Sequence, residues 1–124
     1  MTDRLAGRVA VVTGGGSGIG LASARRFAAD GATVVVADVD AESGAAAADE
    51  VKGLFVRTDV TDEAQVEALF QAAVDTYGSV DIAFNNAGIS PPEDSSIVDT
   101  DIEAWQRVQQ VNLTSVYLCS RHAI

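Results

Sequence analysis

Thr13-Gly14-Gly15-Gly16-Ser17-Gly18-Ile19-Gly20 is the stretch from which the rest of the chain is read. It follows the apolar run Val9-Ala10-Val11-Val12 and opens into a segment of helical character over 21–30. A buried strand, a glycine turn and a helix start together make one kind of pocket. Glycine admits positive φ and lets a ligand approach, because no Cβ stands in the way. The free N–H groups of the first helical turn and the helix dipole then favour an anion, most often a phosphate. No Gly-Lys-Ser/Thr ending is present, which excludes the loop that cradles triphosphates. The spacing is T-G-x-x-x-G-x-G rather than an isolated G-x-G-x-x-G. A surface loop of the same composition is the plain alternative. The strand-then-helix setting favours a dinucleotide site.

A length of 124 residues suffices for one domain with a real core, and 48% hydrophobic residues argue against intrinsic disorder. The net charge of −10 is spread along the chain, which speaks against a nucleic-acid partner. Cys119 is the single cysteine and suits a reducing compartment. Met1-Thr2-Asp3-Arg4 is not followed by a signal-type apolar core, and no apolar run reaches membrane-spanning length. A cytoplasmic location without a membrane partner is expected.

Short β-type runs alternate with longer helical ones. The first helix carries Ala24, Phe27 and Ala28 on one face and stops near Gly31. Thr33-Val34-Val35-Val36-Ala37 reads as a second, buried parallel strand. An alanine-rich helix over 41–51 and a short strand over 54–56 follow. Thr61 precedes an amphipathic helix with Val66, Leu69, Phe70, Ala73, Val74 and Tyr77 on its stripe. A fourth strand covers 80–84, the prolines mark a loop over 90–94, and a last helix starts near Asp101 and runs to the chain end. This alternation predicts an α/β fold: a Rossmann-type, doubly wound parallel sheet, truncated after the fourth strand and its following helix. Ligands of such sheets sit beyond the carboxyl ends of the strands. The glycine turn, Asp38, Asp59 and the Asn85–Gly88 turn all fall there.

Asp38 lies where a dinucleotide fold sets an acid against the adenosine ribose. Its carboxylate can accept from both hydroxyls of the diol and would repel a 2′-phosphate. Val39 and the glycine turn offer no basic side chain, so NAD is expected over NADP. An ordinary acid in a strand-to-helix turn is the alternative. Asp59, followed by Val60, can accept from an exocyclic amine such as adenine's; equally, Asp59 or Thr61 can simply cap the next helix, for which Thr61 is well placed. Asn86-Ala87-Gly88 combines close backbone approach with an amide, useful beside a ribose and nicotinamide, or forms only a turn. On the last helix Asn112 interrupts an apolar stripe of Trp105, Val108, Ser115, Val116 and Cys119. A buried amide there needs partners, which a neighbouring carbonyl or water would also provide. Cys119 reads as core and His122 as surface, and no metal site is expected. Tyr117 shares a second apolar stripe with Leu113 and Ile124, so packing accounts for it better than a pairing with Arg121.

Taken together, Thr13-Gly14-x-x-x-Gly18-x-Gly20, Asp38, Asp59-Val60, Asn85-Asn86-Ala87-Gly88 and Val111-Asn112 resemble, in order and spacing, the N-terminal motifs of the short-chain dehydrogenase/reductase family. The resemblance covers essentially the whole chain. It implies an NAD-dependent oxidoreductase that moves a hydride between nicotinamide and a small alcohol or ketone. It further implies that Ser17, Gly18, Ile19 and Gly20, beside Gly14, contact the pyrophosphate. Asp38 would bind the ribose, Asp59 and Val60 the adenine, and Asn86, Ala87 and Gly88 the inner ribose. Asn112 would be the tetrad asparagine holding a proton-relay water. The family's catalytic Ser and Tyr-x-x-x-Lys pair belong well beyond Asn112, and Tyr117 and Arg121 stand too close to be that pair. Residues 1–124 are therefore expected to form the N-terminal part of a single dinucleotide-binding domain, inactive alone. In the family this last helix takes part in subunit pairing, so a homo-oligomer, dimer or tetramer, is expected. A non-catalytic NAD-binding sensor or interaction module is the rival reading. A Rossmann-like methyltransferase fits less well, having no role for the Asn85–Gly88 turn or Asn112.

Overall fold

Strand propensity and burial coincide in Thr33–Asp38, the central run TVVVAD of a parallel sheet in the computed structural model. The structure describes residues 3–87 and 101–123. Strands β1 (Val9–Thr13), β2 (Thr33–Asp38), β3 (Leu54–Arg57) and β4 (Ile82–Asn85) lie in the order β3-β2-β1-β4, every neighbouring pair parallel. Helices α1 (Gly18–Ala29), α2 (Ala41–Val51) and α3 (Glu63–Tyr77) connect them, and α4 (Ile102–Gln109) and α5 (Ser115–Ala123) follow. The chain is a Rossmann-type α/β fold.

The period-two alternation of the strands divides the core. Val9, Val11, Val35 and Ala37 face one side and pack with Val66, Leu69, Phe70 and Ala73 of α3 and Cys119 of α5. Val12, Val34 and Val36 face the other and meet Ala24 of α1 and Ala47 and Ala48 of α2. Both faces are covered, which is why these strands read as continuous apolar runs. Small residues set the spacing: a Cβ on Gly44 of α2 would overlap the Phe55 ring, so this helix sits directly on β3.

Chain direction decides where the ligand side lies. From β1 the sheet runs through β2 to β3 one way and to β4 the other, so the order reverses between β1 and β4. Their carboxyl ends, Thr13 and Asn85, are register partners at that switch point.

Several boundaries differ from the sequence reading, among them the fourth strand, which covers Ile82–Asn85 rather than 80–84. Helix α1 begins at Gly18, inside the glycine motif, rather than at 21. Helix α3 is capped by Asp62, whose carboxylate accepts from the Ala64 and Gln65 amides, and not by Thr61. The last helix is interrupted by a π-helical turn, Gln110–Thr114, between α4 and α5. The loop reading at 90–94, Gly88 and Ile124 fall outside the described residues. No helix among the described residues is long and apolar enough to cross a membrane.

Candidate functional site

Thr13 ends β1 with a buried hydroxyl that organises the opposite side of the switch point. Its Oγ1 accepts from the backbone N–H groups of Asn86 at 3.1 Å and Ala87 at 3.2 Å, and donates to the Phe84 carbonyl at 3.4 Å. The Asn86 side-chain amide donates to the Gly14 carbonyl at 3.3 Å. Gly14 has φ +64°, and a Cβ there would lie 3.1 Å from both the Asn86 amide nitrogen and the Ala87 Cα. A Cβ on Gly20 would overlap the Gly14 carbonyl. The first turn of α1 is thus pressed onto the turn that precedes it.

That helix end differs from those of α2, α3 and α4. Asp40, Asp62 and Asp101 cap α2, α3 and α4 through their side chains, with Glu42, Glu63 and Glu103 in the first turns. Ser17 is extended at the N-cap of α1, its side chain makes no cap bond, and no acid stands in the first turn. Donors and helix dipole are left facing outward, next to the exposed Ser17, Gly18 and Ile19.

Two carboxylates flank this turn. Asp38 at the end of β2 accepts from the Gly16 N–H on Oδ2 at 3.0 Å and from the Asp40 N–H on Oδ1 at 3.0 Å. Asp59 Oδ1 accepts from the Thr61 hydroxyl at 2.6 Å and the Thr61 N–H at 2.9 Å. Those bonds, the hydroxyl's first, hold the Asp59 carboxyl below its ordinary range, and the Arg57 charge adds to them. Its own N–H donates to Gln65 Oε1 at 2.8 Å. An open cleft of about 300 Å³ runs between these groups, lined by Gly14, Ser17, Ala37, Asp38, Val39, Thr58, Asp59, Val60, Asn86 and Ala87. Seven of the residues singled out in the sequence therefore share one cleft, while Gly18, Ile19 and Gly20 form the adjacent helix turn.

Asn112 stands apart. It lies in the π-helical turn, is exposed, and does not line the cleft. The expected apolar stripe is not buried as a unit: Trp105 is 55% exposed and Val116 37%, while Cys119 is buried with its thiol pushed up to about 11 by burial. The inserted turn rotates residues after 109 away from a simple 3.6 period, which the sequence pattern did not reveal. Tyr117 is also exposed, not packed, and accepts a hydrogen bond from Arg121 at 3.1 Å. His122 is half-buried and meets Glu63 of α3 at 2.9 Å instead of standing free on the surface.

A family model described as "short chain dehydrogenase" matches residues 8–124. The chain belongs to that family. An uncharacterized oxidoreductase of Thermotoga maritima is 46% identical, over 95% of this chain and 47% of its own. A cis-4-hydroxycyclohexanecarboxylate dehydrogenase of Sinomonas cyclohexanicum is 45% identical, over 100% of this chain and 51% of its own. The solved 3-ketoacyl-(acyl-carrier-protein) reductase of Brucella melitensis, complexed with NADH, superposes with a TM-score of 0.91 at 40% identity, covering 97% of this chain and 50% of that one. The chain spans about half the length of the curated relatives it matches.

In this family member the cleft also takes in Ala37, Val39 and Thr58, none of which was expected among the cofactor-binding residues. Val39 is 55% exposed, and an apolar residue between two turn acids was the available clue. Thr58 is buried, its N–H bonded to the Asp38 carbonyl at 3.0 Å, a role visible only once β2 and β3 are paired.

Proposed function

We propose that residues 1–124 form the cofactor-binding part of a single dinucleotide-binding domain, and that the whole protein is an NAD-dependent oxidoreductase acting on a small alcohol or ketone. Asp38 carries the reading. Its carboxylate reaches the glycine turn, where a ribose diol would find two acceptors and a 2′-phosphate would find a like charge. Such a pair costs about 4 kcal/mol at close range in a surface-like dielectric, before salt screening.

The residues fit that cofactor. The uncapped end of α1 offers N–H groups to a pyrophosphate, and Gly14 and Gly20 leave it room. Asp59 and Val60 border the adenine side of the cleft, with Asn86, Ala87 and Gly88 assigned to the inner ribose. When bound, nicotinamide supplies the hydride acceptor or donor. The chain's own part is to hold and orient it. Asn112, in the π-helical turn and outside the lining of the cleft, is assigned to a proton-relay water by the family resemblance alone. The NADH-bound reductase at 40% identity supports a nicotinamide cofactor, and the dehydrogenase relatives support an alcohol or ketone substrate. A homo-oligomer working in the cytoplasm completes the proposal.

Calorimetric titration of the chain with NAD and NADP tests it. NAD is expected to bind the tighter of the two, and Asp38→Ser is expected to weaken NAD and relieve the exclusion of NADP. Equal affinities in the wild type would count against the proposal.

A further inference from the structure

Asp38 is held by both oxygens, and the two donors come from different segments. Gly16 N–H, in the turn after β1, bonds Oδ2 at 3.0 Å, and Asp40 N–H, at the start of α2, bonds Oδ1 at 3.0 Å. The approach at Gly16 is close: a Cβ there would stand 2.8 Å from Asp38 Oδ2 and 2.8 Å from Ser43 Oγ. Asp40 performs two tasks with separate atoms. Its N–H donates to Asp38, while its Oδ1 accepts from the Glu42 and Ser43 amides at 3.0 and 3.1 Å and caps α2.

We propose that Asp40, through its backbone N–H, is a positioning residue that pins the Asp38 carboxylate and thereby sets the discrimination between NAD and NADP. This rests on the NAD reading above. A carboxylate on a free rotor can swing into water when a phosphate approaches, and an exposed charge contact that relaxes in this way discriminates little. Bonded at both oxygens, Asp38 cannot turn aside without abandoning two amides. Each oxygen, having accepted one bond, keeps capacity for another, one for each hydroxyl of the ribose. One constraint therefore matches the diol and opposes the 2′-phosphate.

Three substitutions separate the two tasks of Asp40, read as the ratio of NAD to NADP affinity by calorimetry on the full chain. Asp40→Asn keeps both the N–H and the cap, and is expected to keep the wild-type ratio. Asp40→Ala loses the cap but keeps the N–H, so Tm should fall while the ratio holds. Asp40→Pro loses the N–H at a residue whose φ of −84° is close to proline's own. Its ratio is expected to fall about fivefold, part of what a hydrogen bond to a charged group is worth. Equal ratios in the Ala and Pro variants, beside a wild type that prefers NAD, would overturn this inference alone. A wild type without that preference would overturn the cofactor reading as well. Should the proline variant not fold, amide hydrogen exchange decides. In the wild type the Gly16 and Asp40 amides are expected to exchange slowly, and both should exchange faster in Asp38→Ala. Equal rates in the two proteins would overturn the proposal.

Discussion

The hydroxyl of Thr13 lies 3.1 Å from the backbone nitrogen of Asn86, a residue 73 positions further along the chain. A single buried side chain thus joins the glycine turn to the end of β4, and the cleft exists between the two.

Thr13→Val keeps shape but removes the acceptor, leaving the Asn86 and Ala87 amides without it. A loss of about 2 kcal/mol in urea denaturation is expected, with weakened NAD binding. Thr13→Ser should retain most of both.

Gly20→Ala places a methyl group against the Gly14 carbonyl. Backbone is the obstacle, so no side-chain rotation relieves it. NAD binding is expected to disappear in titration even where circular dichroism shows the helices intact. Gly44→Ala meets the Phe55 ring instead, so Phe55→Leu should recover much of its lost Tm.

Asp59 has a carboxyl depressed below its ordinary 3.8 by Thr61. The folded state therefore binds that proton less readily than the unfolded chain. The stability from this pair is full above the unfolded value and is lost as pH falls through the folded one. Thr61→Val should flatten the acid side of a Tm-against-pH curve below about pH 4. An unchanged acid limb would contradict the assignment.

Cys119 titrates in the opposite sense. Burial raises its thiol from 9.0 to about 11, so the unfolded chain ionises first and stability is lost as pH climbs from 9 toward 11. Iodoacetamide at pH 8 is expected to label it only at the rate of opening, measured by mass spectrometry with and without urea.

The sheet was legible because both its faces are covered. Val34, Val35 and Val36 are all buried, and a run with no polar interruption reads as a parallel strand. The glycine turn, Asp38 and Asn86 were legible by their positions at strand ends. Less so was anything that depends on pairing across the sheet. Thr13 read as the first residue of the glycine turn, after a strand ending at Val12, and its role follows only from β1 lying beside β4. Asp59 and Asp62 are both acids before one helix; geometry alone assigns the cap to Asp62 and the Thr61 contact to Asp59. The π-helical turn at Gln110–Thr114 breaks the 3.6 period, so a periodic reading placed Asn112 on a buried stripe where the structure exposes it.

A crystal structure of the chain with NAD tests the central claim most directly. The adenosine ribose hydroxyls are expected within hydrogen-bond distance of Asp38, with the pyrophosphate over the Ser17–Gly20 turn. A nucleotide bound elsewhere, or a ribose turned away from Asp38, would contradict it.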